Sequence, residues 1–151
     1  MLDVGKICCR DVDLVEIGES AYTAAKRMEA RGVGTLVALD DSRRPCGIVT
    51  DRDLVTRVLA TSRDPETTWV RDLVSVPVHE VREDTSLEDT VRAMRSAHCR
   101  RLAVVDAQRR LVGIVSLDDV LANMAEQMHA VAALLESEAP HAVAGENQLG
   151  C

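Results

Sequence analysis

Apolar and polar residues alternate along the chain with two different periods. Short apolar runs over residues 12–17 and 78–81 predict β-strands. Each run is followed by a segment whose apolar residues recur every three or four positions, which predicts a helix packed on a sheet. These helices open at Ser20 and Ser86, where a hydroxyl can accept hydrogen bonds from the unpaired amides of the first turn. The apolar stripe of the second helix consists of Leu87, Val91 and Met94.

Two further apolar runs follow each of these helices and are separated by a short polar turn. They cover residues 35–40 and 46–50 in the first half of the chain, and 102–106 and 111–116 in the second half. Polar turn residues between two apolar runs are typical of a hairpin. A second helix is predicted to start directly after Thr50 and Ser116, so each half has the order β-α-β-β-α.

The two halves are copies of one unit. The sequence Gly-Ile-Val-Thr-Asp-Arg-Asp at residues 47–53 returns as Gly-Ile-Val-Ser-Leu-Asp-Asp at residues 113–119. The same offset aligns residues 4–60 with residues 70–126 without a gap. A unit of about sixty residues is too small to cover its own sheet and helices. Two units packed sheet to sheet and related by a pseudo-two-fold axis would bury both.

The predicted fold is therefore α+β, with two α/β-like repeats and an extended C-terminal helix. Helical apolar spacing continues well past Asp119, beyond the point where the first repeat stops. The polar stretch Arg63-Asp64-Pro65-Glu66 marks the boundary between the repeats. The predicted organisation is a first repeat over residues 1–62, a linker over 63–69, a second repeat over 70–125, a helical extension over 126–139 and a flexible tail over 140–151.

Composition and charge narrow the class of protein. The chain has 46% hydrophobic and 28% charged residues, and no apolar run reaches the roughly 18 residues that span a membrane. We therefore expect a soluble, cytoplasmic protein with no membrane partner. The five cysteines lack CxxC spacing, which favours free thiols. A net charge of -7, no Phe, one Tyr and one Trp argue against a nucleic-acid partner, because phosphate backbones would be repelled and bases would find no stacking platform.

Candidate chemistry lies where a strand ends in a hydroxyl residue and a carboxylate follows three positions later. Thr50 precedes Asp53 in this way and Ser116 precedes Asp119, both at a predicted helix start. Free amides and the helix dipole attract phosphate there, the hydroxyl adds a donor, and the carboxylate can accept from both ribose hydroxyls. Each pair alone would fit a simple helix cap equally well. Its occurrence in both repeats favours a nucleotide site.

The tandem pattern of glycine, two apolar residues, Thr or Ser, two residues and Asp resembles the CBS (cystathionine-β-synthase type) domain family over nearly all of residues 4–123. The resemblance implies a stand-alone, bacterial-type pair of repeats with two clefts that bind an adenosyl ligand. AMP, ADP and ATP are the expected ligands, NAD and S-adenosylmethionine are further candidates, and no cofactor is obligatory. It also implies that a cleft combines the ribose-binding loop of one repeat with the first strand of the other.

The resemblance further implies roles for individual residues. Asp53 and Asp119 would hold the ribose, and Thr50 and Ser116 would approach the phosphate. The base would lie against apolar and backbone groups near Val12, Asp13, Val33, Gly34, Val78, His79 and Cys99.

The two clefts are expected to differ in charge. Arg52 offers donors to a phosphate beside Asp53, whereas the corresponding residue of the second repeat is Asp118. We therefore expect charged nucleotides to prefer the cleft that contains Asp53. The cleft that contains Asp119 would depend on the pair Arg100-Arg101 for any phosphate contact, although these arginines would fit a solvated strand edge equally well.

Other functions compete with a nucleotide sensor. An enzyme needs a convergent set of catalytic groups or a metal site, and the four histidines form no such motif, so we expect neither catalysis nor a metal. A redox sensor could use Cys8-Cys9, Cys46 or Cys99, and a structural dimerisation module would leave the clefts empty. The resemblance implies a homodimer, the amphipathic last helix supports association, and the regulated effector would be a separate, unidentified protein.

Overall fold

The computed structural model describes residues 2–74 and 78–138 and contains two three-stranded sheets, one in each repeat. The elements of the first repeat are β1 (Leu14–Glu16), α1 (Ala21–Arg31), β2 (Thr35–Leu39), β3 (Pro45–Thr50) and α2 (Asp51–Leu54), which continues as a π-helical segment over Val55–Leu59. Those of the second are β4 (Glu80–Arg82), α3 (Leu87–Ser96), β5 (Arg101–Val105), β6 (Leu111–Ser116) and α4 (Leu117–Glu138). A 3-10 turn precedes each repeat, at Val4–Lys6 and at Val70–Asp72.

Both sheets have the same topology and register. The first strand of each repeat pairs in parallel with the second, and the second pairs antiparallel with the third, so β2 and β5 are the central strands. The register shifts at the same place in both sheets, between Ala38 and Leu39 and between Val104 and Val105. The predicted pair of β-α-β-β-α repeats is confirmed.

The helices begin where the sequence predicted, because their caps are local. The Ser20 hydroxyl accepts a hydrogen bond from the Thr23 amide at 3.1 Å, and the Ser86 hydroxyl accepts one from the Asp89 amide at 3.1 Å. The first of these helices, α1, ends at Gly32, whose φ of 65° lies in the left-handed region that glycine adopts without strain.

Each repeat packs against the 3-10 turn that precedes the other repeat. Val4 is fully buried in the core of the second repeat, and its amide donates to the Thr85 carbonyl at 2.8 Å. Val70 is fully buried in the core of the first repeat, and its amide donates to the Glu19 carbonyl at 2.9 Å. The chain therefore crosses between the repeats twice, and each spatial unit is built from both halves of the sequence.

The repeated glycine of the Gly-Ile-Val motif makes room for these crossings. A Cβ on Gly47 would lie 2.5 Å from the Cβ of Val74, and a Cβ on Gly113 would lie 2.5 Å from the carbonyl oxygen of Cys9. Both distances are shorter than van der Waals contact, so only glycine lets the exchanged segment pack on the third strand.

The first strand of each repeat is shorter than the apolar pattern predicted. β1 and β4 contain three residues each, and residues 12–13 and 78–79 stay outside the ladders. The backbone carbonyls of Asp13 and His79 contact the sheets, where each accepts a hydrogen bond from an amide of the central strand. The chain enters each strand directly after a crossing, so these residues face the space between the repeats instead of the sheet.

The last helix, α4, has 22 residues, which confirms the predicted C-terminal extension. Val120 near its start is buried in the core, whereas six of its large apolar side chains are exposed: Leu121, Met124, Met128, Val131, Leu134 and Leu135. Among the described residues, no helix is both long and apolar enough to cross a membrane. The predicted tail over residues 140–151 lies outside the described residues.

Candidate functional site

The end of β3 and the start of α2 form a tightly hydrogen-bonded loop. The Thr50 amide and the Thr50 hydroxyl both donate to Oδ2 of Asp53 at 2.9 Å, and the Asp53 amide donates back to the Thr50 hydroxyl at 3.2 Å. This reciprocal arrangement is a capping box. It fixes the Asp53 carboxylate at the helix start through one of its two oxygens. The other oxygen, Oδ1, has the Arg57 Nε atom at 3.7 Å.

The second repeat reproduces this loop. The Ser116 amide and hydroxyl donate to Oδ2 of Asp119 at 2.7 and 2.6 Å, and the Asp119 amide donates to the Ser116 hydroxyl at 3.2 Å. The cap that the sequence offered as the simple alternative is therefore present in both repeats. The cap holds each carboxylate in one orientation through Oδ2, and Oδ1 takes no part in it.

Two clefts lie between the repeats. The first, here called the Thr50 cleft, has a volume of about 280 Å³. The residues from the first repeat that line it are Gly47, Ile48 and Thr50. Those from the second repeat are Val78, His79 and the segment 97–101. Asp53 and Arg52, in the first turn of α2, are not among the lining residues.

The second, here called the Ser116 cleft, has a volume of about 330 Å³. Its residues from the second repeat are Arg101, Ile114, Ser116 and Asp119. Those that precede the first repeat or belong to it are Cys9, Asp11, Val12, Asp13, Val33, Gly34, Thr35 and Val37. Each cleft thus combines the helix-start loop of one repeat with the segment before the first strand of the other.

The structure assigns the predicted residues to the clefts differently from the sequence analysis in one respect. Asp13, Val33 and Gly34 lie with Asp119, and Val78 and His79 lie with Thr50. Arg100 lines the Thr50 cleft and not the Ser116 cleft, while its Nη2 atom lies 3.4 Å from Oδ1 of Asp118 at the start of α4. The reason is geometric: the loop before a central strand faces the helix-start loop of the opposite repeat. A contact of Arg100 with a phosphate beside Asp119 stays a prediction. Arg101 is the first residue of β5 and lines both clefts.

This assignment increases the charge difference between the clefts. The Thr50 cleft is lined by His79, His98, Arg100 and Arg101, and Arg52 stands in the adjoining helical turn. The Ser116 cleft is lined by Asp11, Asp13 and Asp119 and by one cation, Arg101. The Thr50 cleft therefore attracts anions more strongly than the Ser116 cleft.

Several lining residues were missed by the sequence analysis. His98 lies in the Thr50 cleft with a left-handed φ of 50°, at the repeat position that Gly32 occupies in the first repeat. Thr35 is the counterpart of Arg101, so the repeat offset alone could have placed it in the other cleft. No sequence pattern could have predicted that Cys9 and Asp11 line the Ser116 cleft, because they reach it through a crossing between the repeats that neighbouring residues do not determine.

Burial disfavours the thiolate form of three of the cysteines, Cys8, Cys46 and Cys99. Cys99 lines the Thr50 cleft, and burial raises the pKa of its thiol above the ordinary value. Burial likewise raises the pKa of Cys8 and of Cys46. A raised pKa keeps a thiol protonated at neutral pH, and it is the thiolate that reacts. The environment of these three thiols therefore argues against a redox sensor.

Comparison with known proteins gives an independent view of these features. The family model of the CBS domain matches residues 4–60 and 70–126. A protein of Methanopyrus kandleri is 36% identical over 120 residues, which cover 80% of this chain and 61% of that protein, so this chain spans less than two thirds of that relative.

Two solved structures share the fold. Hypoxic Response Protein I with two coordinated zinc ions matches with a TM-score of 0.71 and 30% identity, over 80% of this chain and 98% of that one. CBSX2 in complex with AMP matches with a TM-score of 0.70 and 26% identity, over 85% of this chain and 99% of that one. The zinc ions belong to the first of these proteins. In the described part of the present chain, no group of three or more His, Cys, Asp and Glu could hold a metal ion.

Proposed function

Because the chain belongs to the CBS-domain family, we propose that it is a non-catalytic regulatory module that binds an adenine nucleotide between its repeats. The observation that carries the proposal is the Thr50 cleft. It joins the capping hydroxyl of Thr50 and several basic side chains at the boundary between the repeats, and the Asp53 carboxylate that the cap fixes stands in the adjoining helical turn. These are the groups that phosphate and ribose require.

In the proposed complex the phosphate lies beside the start of α2 and accepts from the guanidinium groups of Arg52 and Arg100, the latter exchanging its contact with Asp118 for the phosphate. The Thr50 hydroxyl keeps its proton on Asp53 and holds the cap. The ribose hydroxyls donate to Oδ1 of Asp53. The base lies against apolar groups of Ile48 and Val78, which line the same cleft. AMP is the first candidate because CBSX2 has been crystallised with it. ADP and ATP have the same recognition groups, and NAD and S-adenosylmethionine share the adenosyl part.

Ligand binding would be coupled to the geometry of the module through Arg57. Its Nη1 atom donates to the Leu73 carbonyl at 2.6 Å, while its Nε atom faces Asp53. Leu73 packs on Ala21 and Val58 of the first repeat and precedes Val78 and His79 in the sequence. A nucleotide that engages Asp53 and His79 together would favour one arrangement of the repeats, since a ligand shifts a conformational equilibrium through its differential affinity. A partner protein would read that arrangement.

The exposed apolar side of α4 supports a homodimer as the working assembly. Met128 and Leu135 have 73% and 65% of their surface exposed, unusual values for large apolar residues on a regular helix. A second copy of the chain offers the same stripe, and helices with apolar stripes associate by burying them. A monomeric mass by light scattering across the working concentration range would contradict this part of the proposal.

The test of nucleotide binding is calorimetric titration of the ligand-free protein with AMP, ADP and ATP. The informative variant is Asp53→Asn, because an amide oxygen can still accept from the Thr50 amide and preserve the cap. Loss of the charged acceptor is expected to weaken AMP at least about tenfold, because hydrogen bonds to a charged group contribute about 1.5–3 kcal/mol each.

The matched control is Asp89→Asn. Asp89 makes the same kind of cap with Ser86 at the start of α3 but lines neither cleft. It should therefore leave AMP affinity unchanged. Absence of saturable binding of all three nucleotides to the wild-type protein would refute the proposed function.

A further inference from the structure

The two clefts differ in charge at equivalent positions of the repeat. His79 of the Thr50 cleft corresponds to Asp13 of the Ser116 cleft, and Arg100 corresponds to Gly34. In the helical turn beside each cleft, Arg52 corresponds to Asp118. The capped hydroxyl and aspartate are the same in both. The repeats thus preserve the groups that would hold a ribose and exchange the groups that would face its 5′ substituent.

The acidic side chains of the Ser116 cleft differ in how far they are neutralised. Asp13 is largely buried and accepts from Arg31 Nε at 2.6 Å, and Asp11 lies 3.8 Å from Arg31 Nη2 with 90% of its side chain exposed. Asp119 is engaged by the cap through Oδ2 only. Two of the three carboxylates therefore share one arginine, and that arginine is not among the residues that line the cleft.

A further carboxylate stands behind Gly34. A Cβ built on this glycine would lie 2.9 Å from Oδ2 of Asp51, so a side chain here would displace that carboxylate, and the cleft has no cation at the position of Arg100. The remaining cation is Arg101, which lines both clefts. A phosphate bound in the Thr50 cleft would draw Arg101 to that side and leave the Ser116 cleft more acidic.

We propose that the Ser116 cleft binds a nucleoside without a phosphate, and that a positive charge on the 5′ substituent strengthens binding there. The proposal rests on the proposed function, since it takes the capped Asp119 as the ribose acceptor. The surrounding carboxylates repel a phosphate dianion and attract an ammonium group. The two clefts would then respond to different ligands, one anionic and one neutral or cationic.

The test uses three ligands that differ only at the 5′ position: AMP, adenosine and 5′-amino-5′-deoxyadenosine, which carries an ammonium at neutral pH. They are titrated into Asp53→Asn protein, in which the Thr50 cleft is weakened. Adenosine is expected to bind about tenfold more tightly than AMP, and the amino compound more tightly than adenosine. Added salt should reduce the differences, because these charges are partly exposed to solvent.

Two further variants identify the cleft in which the ligands bind. Asp119→Asn added to Asp53→Asn should abolish it, which places the ligand in the Ser116 cleft. Thr35→Arg together with Asp118→Arg places arginines at the positions equivalent to Arg101 and Arg52, and should reverse the order of AMP and adenosine. Circular dichroism and thermal unfolding of each variant confirm that it is folded.

The outcomes separate this inference from the proposed function. If AMP binds the wild type and is lost in Asp53→Asn, the proposed function stands. The inference is overturned if the Asp119-dependent site then binds AMP as tightly as adenosine, or binds none of the three ligands. If no ligand binds the wild type, both proposals fall together.

Discussion

The two repeats have nearly the same backbone and very different charges. Their sheets share topology, register and even the position of a register shift, and their helix-start loops share the same three hydrogen bonds. Their clefts nevertheless differ, with arginine and histidine lining one and aspartate lining the other. The backbone positions a hydroxyl and a carboxylate at each boundary, while the surrounding side chains decide which ligand charge is accepted.

The largest expected effect comes from the glycines that contact the crossing segments. Gly47→Ala and Gly113→Ala each place a methyl group 2.5 Å from an atom of the exchanged segment. Both are expected to lower the free energy of unfolding by about 1–3 kcal/mol, the usual cost of overpacking. Gly113→Ala should cost more, because its methyl group meets a backbone carbonyl that cannot rotate away.

Urea denaturation of both variants measures these effects. The control is Gly18→Ala, where the nearest atom to the added carbon is the end of the Arg71 side chain at 3.9 Å. Its free energy of unfolding should stay close to that of the wild type. Equal stability of all three variants would show that the segments do not pack on the third strands as described.

The first repeat has an ion pair whose equivalent positions in the second repeat carry no charge. Arg27 donates to both carboxylate oxygens of Glu19 at 2.8 Å, and the second repeat has Thr85 and Ala93 at these positions. Hydrogen bonds from Arg27 hold the pKa of Glu19 below its ordinary value of 4.5. A depressed pKa stabilises the folded state above pH 4.5, and this contribution is lost as the pH falls through the lower folded value.

The pair is expected to contribute about 1 kcal/mol, because both side chains are about one third exposed. Glu19→Gln should therefore lower the free energy of unfolding at pH 7 and remove part of its decline between pH 5 and pH 3, in denaturation series at each pH. A variant with the same acid dependence as the wild type would show that the pair is not formed in solution.

The smallest expected effect concerns the end of the first helix in each repeat. Gly32 and His98 occupy equivalent positions and both have a positive φ, 65° and 50°. Gly32→Ala should cost about 1 kcal/mol, because a side chain in the left-handed region is strained and no neighbour lies within 4 Å to compensate. His98→Gly should gain about 0.5 kcal/mol. Thermal unfolding of both variants measures the difference, and opposite signs would contradict the assigned backbone.

Local features were predictable from the sequence and non-local ones were not. Ser20, Ser86, Thr50 and Ser116 were predicted as helix starts because a cap depends on residues within one turn. The two equal units could be predicted because a repeat offset is found by aligning the sequence with itself, without any information about contacts. The exchange of Val4 and Val70 between cores could not be predicted, since both turns have the same local sequence pattern whichever repeat they pack against. The cleft that Arg100 lines could not be predicted for the same reason.

The central claim is that the two clefts accept ligands of different charge, and the most direct measurement is a crystal structure of the protein grown with excess AMP. The account predicts AMP in the Thr50 cleft, with its phosphate beside Arg100 and the start of α2 and its ribose on Asp53, at higher occupancy than any AMP in the Ser116 cleft. AMP bound preferentially beside Asp119, or at equal occupancy in both clefts, would contradict it.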